Sequence, residues 1–267
     1  MTASDRVLAT VEDGVGWIVF NKPERRNAIS QDMWLLLAEA LERFGQDGAV
    51  RVIVMRGAGE QAFVSGGDIS KFEDNVAGAA ATADTREAFR EAGARGQAAL
   101  AGVEKPLIAL IHGYCLGGGL MVAMHADIRM AAEDAKFSVP AARLGAAYPY
   151  GHVRRLVELI GPAFAAEMLM SARMFDAAEA KAMGLVNQLV PKGELDAAVR
   201  AMALSIAEKA PLSLRASKAT IRAILDDPSA TGDAGVEALS KACAESADFL
   251  EGARAIMEKR PARYTGR

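Results

Sequence analysis

Two glycine clusters hold the residues of this 267-residue chain best suited to chemistry. Phe63-Val64-Ser65-Gly66-Gly67-Asp68-Ile69 and His112-Gly113-Tyr114-Cys115-Leu116-Gly117-Gly118-Gly119 each follow a β-branched or apolar run and precede a segment that reads as a helix. Side chains are almost absent from both loops, so what they offer is backbone N–H. Two such amides aimed at one point form a cradle for an oxygen on which negative charge develops.

Rival chemistries find less support. Gly113 to Gly118 has the outer spacing of a phosphate-binding loop, but Gly119-Leu120 stands where Lys-Ser/Thr is required. No Gly-x-Ser-x-Gly elbow is present, and Ser65 has no evident base beside it. His112 and His125 flank the second cluster without metal-ligand spacing, so no metal site is expected. Cys115 and Cys243 lie far apart and read as reduced thiols of a cytoplasmic protein.

The elements that must position the two loops follow from apolar periodicity. Val15–Phe20, Val50–Met55, Leu107–Ile111 and a short run around Asp127–Met130 read as strands. Ser30 is a candidate N-cap for a helix through Phe44, with Met33, Leu36, Leu37, Ala40 and Leu41 at helical spacing. Residues 71–104 suggest one or two surface helices broken near Gly78 and Gly93, and a further helix runs from the second cluster through His125. Strand, loop and helix in repetition argue for an α/β fold with parallel elements. Gly161-Pro162 then starts a helix to about Ser171, and Asp176 with Glu179 has the spacing of a capping box that opens a short helix ended by Gly184. From Leu195 the chain is helical and amphipathic, with a break at Asp226-Asp227-Pro228. The economical division is a catalytic core over 1–195 and a helical region over 196–267, whose apolar stripes must pack on the core or on a neighbouring subunit.

Bulk properties narrow the partners. With 31 basic and 34 acidic residues, a net charge of −3 gives no pull toward nucleic acid or an anionic membrane. A content of 51% hydrophobic residues supports a substantial core. The N-terminus lacks the basic and apolar regions of a secretory signal, and no apolar run approaches the ~20 residues that span a bilayer. A soluble, cytoplasmic protein is expected.

These segments together resemble the crotonase superfamily, also called the enoyl-CoA hydratase/isomerase family. The resemblance runs from Asn21-Lys22-Pro23-Glu24-Arg25-Arg26-Asn27-Ala28-Ile29-Ser30 through Gly57-Ala58-Gly59-Glu60, both glycine clusters and Lys136-Phe137-Ser138-Val139-Pro140. It continues over Ala180-Lys181-Ala182-Met183-Gly184-Leu185-Val186-Asn187 to Glu258-Lys259-Arg260. It implies a crotonase-type α/β spiral of repeated β-β-α units and a helical C-terminal trimerisation region, giving a homotrimer or a dimer of trimers. It also implies acyl-CoA thioesters as ligands, with no tightly bound cofactor because coenzyme A is part of the substrate. By the same resemblance, Gly67 and Gly118 supply the oxyanion-hole amides. CoA lies along Lys22 to Ala28, with Ala28, Ser65, Asp68 and Ile69 near its adenine and pantetheine. Arg25 or Arg26, and Lys259 or Arg260, are candidate phosphate contacts, and each also suits a solvated surface.

The chain departs from the family's hydratases where their two acid–base glutamates stand: Met121 and Ala141 occupy those positions. Neither side chain moves a proton. Between Leu144 and His152, where many relatives carry Pro-Gly-Ala-Gly-Gly, this chain has Tyr148, Tyr150 and His152. The Leu-Gly-x-x-Tyr spacing resembles a decarboxylase branch, in which loss of carbon dioxide yields the enolate without a base. Tyr148 would orient the carboxylate or simply pack and bond within the turn. His152, in the first turn of a helix, would be a neutral donor or proton shuttle, or have a simple capping or surface role. The expected function is an acyl-CoA enzyme that stabilises a thioester enolate. The alternatives are a β-carboxyacyl-CoA decarboxylase and a non-catalytic acyl-CoA-binding protein.

Overall fold

The computed structural model describes residues 3–68 and 83–267. Its strands are β1 (Val7–Glu12), β2 (Val15–Phe20), β3 (Val52–Gly57), β4 (Ala62–Val64), β5 (Leu107–Ile111), β6 (Tyr114–Leu116), β7 (Ile128–Ala132), β8 (Lys136–Ser138), β9 (Phe175–Asp176) and β10 (Gln188–Val190). Its helices are α1 (Gln31–Gln46), α2 (Ala83–Gly102), α3 (Gly118–Met124), α4 (Tyr150–Ser171), α5 (Ala177–Ala182), α6 (Leu195–Ala207), α7 (Pro211–Asp226), α8 (Ala234–Ala244) and α9 (Ala247–Met257).

From β3 to β8 successive strands go alternately to two sheets. One has the order β1-β2-β3-β5-β7-β10 and the other β4-β6-β8-β9. Each turn of the chain thus lays one strand in the first sheet and the next in the second (β3 then β4, β5 then β6, β7 then β8). The result is a spiral of β-β-α turns. Within it β2-β3, β3-β5, β5-β7, β4-β6 and β6-β8 pair in parallel, and the antiparallel pairs β1-β2 and β8-β9 close two edges.

Period-2 alternation explains how the larger sheet buries both faces. Ile53, Met55, Leu107, Ala109 and Ile111 point to the main core, which α1 also enters with Met33, Leu37 and Phe44. Val52, Val54, Ile108 and Leu110 point the other way and are covered by Leu195, Val199 and Ala203 of α6. The helical segment after residue 195 therefore begins as a layer of the sheet. His112, at the end of β5, bonds through Nε2 to Asp196 Oδ2 at 2.7 Å, and Arg56 pairs with the same carboxylate. This polar clamp fixes α6 to the sheet from 84 residues away in sequence.

Several local expectations are corrected. The described helix α2 passes through Gly93 without a break, because Gly93 and Gly96 face Trp34 of α1; a Cβ at Gly96 would lie 2.4 Å from the Trp34 ring. These glycines let two helices approach closely instead of ending one. The expected break at Gly78 lies outside the described residues. The strand expected from Val50 begins at Val52 and runs to Gly57. The helix expected to start at Gly161-Pro162 is the second half of a longer one, kinked at Gly161, where φ is 74°. Ser30 precedes α1 but does not cap it through its side chain; its hydroxyl donates to Asp32 Oδ1 at 2.5 Å. The Asp176–Glu179 capping box and the left-handed Gly184 are as expected.

Candidate active site

The spiral brings the two glycine loops together at the C-terminal ends of β4 and β6. Gly119 sets their spacing: a Cβ there would lie 1.9 Å from the Val64 carbonyl oxygen, so only a glycine lets α3 start against β4. Next to it, a Cβ on Gly118 would be 3.2 Å from the Gly67 nitrogen. The two backbone amides singled out from sequence are neighbours in space, although 51 positions separate them.

Among the described residues both amides are also left without hydrogen-bond partners. Residues 66–68 pair with Ile29, whose N–H donates to Gly66 O at 2.9 Å and whose carbonyl accepts from Asp68 N–H at 2.8 Å. That pattern skips the Gly67 N–H. Gly118 is the first residue of α3, where helix geometry provides no intrahelical acceptor. Among the described residues neither N–H donates a backbone hydrogen bond.

The peptide between Gly117 and Gly118 is held at its oxygen. Gly117 has φ 46°, a backbone shape that disfavours other residues, and its N–H donates to Ser138 O at 2.9 Å. Its carbonyl accepts from Met121 N–H at 3.0 Å and from the Tyr148 hydroxyl at 3.1 Å. A trans peptide points C=O and N–H in opposite directions. Two donors on the oxygen therefore fix where the Gly118 N–H is aimed. Nothing in the sequence signalled this role for Tyr148, because its partner lies 31 residues upstream.

His152 lies in the first turn of α4, as read from sequence, but at 6% exposure it is buried, which corrects the expected surface role. Its ring centroid is 5.8 Å from that of Tyr148 and 6.0 Å from that of His125. Burial lowers the pKa of both histidines. His125, which also feels the positive charges of Arg155, Arg222 and Lys218, is pushed down to about 4. Both rings are thus neutral at pH 7. Burial pushes the Tyr148 phenol well above its ordinary value, so it stays protonated and can only donate or accept as a hydroxyl. Tyr150 points to solvent. Met121 and Ala141 are both half-buried, and the Cys115 thiol, fully buried, is pushed upward and inert.

The proposed CoA-contacting residues divide into two groups. Arg26, Ala28, Ser65 and Asp68 form one cluster: Ser65 N–H donates to Arg26 O at 3.1 Å, and Asp68 pairs with Lys22 at 2.5 Å. Arg26 stacks over the Tyr114 ring at 5.1 Å. Ile69 lies outside the described residues. Lys259 stands apart, exposed at φ 54° just beyond α9, which packs on α8.

Comparison with known proteins agrees with this architecture. The family model "Enoyl-CoA hydratase/isomerase" matches residues 10–267. A crotonyl-CoA hydratase of Syntrophomonas wolfei is 34% identical over 98% of both chains. A carnitinyl-CoA dehydratase of Salmonella typhi is 35% identical over 94% of both. Among solved structures, an enoyl-CoA hydratase/isomerase family protein from Hyphomonas neptunium superposes with a TM-score of 0.91 at 38% identity, covering 100% of each chain. An enoyl-CoA hydratase/carnithine racemase from Magnetospirillum magneticum gives 0.90 at 35% identity, covering 98% of this chain and 96% of that one. A spiral of this kind with two facing glycine loops defines the crotonase class of folds. The chain belongs to the enoyl-CoA hydratase/isomerase family.

Proposed function

We propose that this chain acts on acyl-CoA thioesters by holding the thioester oxygen between the N–H groups of Gly67 and Gly118 while enolate charge builds on it. The observation that carries this reading is the apposition of two unbonded amides, one of them on a peptide clamped from behind by Tyr148. Such donors stabilise the developing oxyanion more than the ground-state carbonyl and need no reorganisation during reaction. The relatives named for CoA thioester hydration and dehydration support the substrate class. CoA would follow the Arg26–Ala28 and Ser65–Asp68 cluster, with Lys259 reaching a phosphate only from another subunit.

Hydration with two glutamates is not available to a site with Met121 and Ala141. That absence favours a second reading, decarboxylation of a β-carboxyacyl-CoA. There the bond from Cα to the carboxylate breaks and its electron pair passes into the enolate, so no base is needed. Tyr148 and His152 would then orient the carboxylate or return the proton. A non-catalytic acyl-CoA-binding protein is the remaining alternative.

One pair of assays separates these. A trans-2-enoyl-CoA is followed by loss of its conjugated absorbance, and a malonyl-type CoA by release of carbon dioxide. Hydration that persists after substitution of both Tyr148 and His152 removes that turn from the chemistry. Tight binding without turnover of either thioester supports the non-catalytic reading.

Assembly into a homotrimer or a dimer of trimers is part of the same proposal. Phe249, Leu250, Ile256 and Met257 of α9 and its end are each at least 60% exposed in the single chain, a patch that suits a subunit contact. Light scattering on the purified protein tests it. Among the described residues no helix is long and apolar enough to cross a membrane.

A further inference from the structure

The accessible side of α3 is a narrow stripe. Gly118 and Met121 are half-buried, whereas Gly119, Leu120, Val122, Ala123 and Met124 are buried. His125, which caps the helix, is half-buried as well. Positions 118, 121 and 125 are spaced i, i+3, i+7 and so lie along one face. The stripe runs from the Gly118 amide, past the methionine that replaces a family glutamate, to an imidazole. Seven residues at about 1.5 Å per residue place that imidazole roughly 10 Å from the amide.

The far end of the stripe opens on a cavity of about 690 Å³ between α2, α4 and α7. His125 and His152 both line it. The Nε2 atom of His125 is buried and has no hydrogen-bond partner. A buried polar nitrogen left this way carries a desolvation cost that a ligand can relieve.

Among the described residues the charges around the cavity pair off with one exception. Lys218 Nζ donates to Asp127 Oδ2 at 2.7 Å and to Lys105 O at 2.8 Å. Arg155 bonds Met124 O and Glu158, and Arg154 bonds Glu158 and Asp226. Arg222 remains. It lines the same cavity, is half-buried, and makes no hydrogen bond or ion pair among the described residues. The acids Asp127, Asp226 and Glu104 act on it only from beyond contact distance. The positive charges of Arg155, Arg222 and Lys218 act on the His125 ring. An unpaired guanidinium and an unpaired imidazole in one cavity are what a carboxylate requires.

We propose that this cavity receives the far end of the acyl group and recognises an anionic terminus there, a carboxylate held by Arg222 and His125. With C–C bonds of about 1.5 Å, the length of the stripe corresponds to an acyl chain of roughly six to eight carbons between thioester and carboxylate. The substrate class is then a medium-chain dicarboxylic acid carried as its CoA monothioester. This inference rests on the thioester reading above.

Calorimetric titration of the full protein with two saturated thioesters tests it without turnover. One is the CoA monothioester of the eight-carbon dicarboxylic acid, and the other is octanoyl-CoA. The dicarboxylic thioester is expected to bind about tenfold more tightly, the gain of a charge-assisted hydrogen-bonded contact. Arg222→Met should reduce that preference to within about threefold. Equal or weaker binding of the dicarboxylic thioester overturns the proposal using the wild-type protein alone, as does a preference that survives Arg222→Met. Octanoyl-CoA bound without any preference sinks the anionic terminus and leaves the thioester reading standing. Failure of both thioesters to bind sinks both.

Discussion

At its N-terminal end α3 presents a main-chain N–H, that of Gly118; at its C-terminal end it presents an imidazole, that of His125. The first end is built from backbone, and its geometry is set by what glycine permits: Gly119 against Val64, Gly117 at φ 46°, and the Gly117 carbonyl clamped by Tyr148. The second end is built from side chains and surrounded by cations that mostly have their own partners. Backbone donors cannot be exchanged by ordinary substitution, so the first end constrains the class of reaction. Side chains can be exchanged freely, so the second end is where a chain of this fold can acquire its own substrate.

Substitutions that strike one end and spare the other test this contrast. The largest effect belongs to Gly119→Ala, whose Cβ would fall 1.9 Å from Val64 O. A cost of about 4 kcal/mol or more is expected, read as a collapsed denaturation midpoint or loss of soluble protein. Normal stability in that variant would mean the two loops can separate cheaply. Gly118→Pro removes the N–H at a helix position that accepts proline, and it also adds a Cβ 3.2 Å from the Gly67 nitrogen. Turnover should fall by at least about 10²–10³, equivalent to ~3–4 kcal/mol, with a modest fall in melting temperature from that crowding.

The His125 end should instead respond to acid. Its folded-state pKa, about 4, lies below the ordinary 6.5, so the unfolded chain takes up a proton first as pH falls. Stability is therefore intact above about pH 6.5 and is lost toward pH 4, by at most about 3 kcal/mol from this group. Denaturant midpoints measured across that range should fall less steeply in His125→Leu. Identical slopes in the two proteins would show that the ring titrates freely. The smallest effect is that of Tyr148→Phe. Loss of its hydrogen bond to Gly117 O should cost about 1 kcal/mol of transition-state stabilisation, roughly fivefold in kcat, with KM nearly unchanged. A loss of several hundredfold would place the phenol on the substrate, as the decarboxylase reading requires.

Of the ten described strands, β2, β3, β5 and β7 were legible because each is a short apolar or β-branched run, and Leu107–Ile111 was located to the residue; the other six, mostly short or at sheet edges, were not. The glycine loops were legible for a related reason: side chains are missing where the backbone must be offered. Local signals failed where a residue's partner lies far along the chain. Gly93 looked like a helix breaker because Trp34, which it faces, is 59 positions away. Gly161 and Pro162 do interrupt a helix whose first turn was legible at His152; what the sequence did not show is that one element continues through both. The assignment of consecutive strands to different sheets, the Tyr148–Gly117 bond and the cavity between α2, α4 and α7 are all products of long-range packing. Met121 and Ala141 were visible as departures from the family pattern. That Met121 and His125 share one face of α3 became apparent only with the helix bounds.

The placement of the thioester oxygen is tested most directly by vibrational spectroscopy of a bound acyl-CoA carrying ¹³C at its carbonyl. Hydrogen bonds from Gly67 and Gly118 should move the carbonyl stretch to lower frequency than in free solution, and Gly118→Pro should return part of that shift. A tightly bound thioester whose carbonyl vibrates as it does in water, equally in both proteins, would contradict the account.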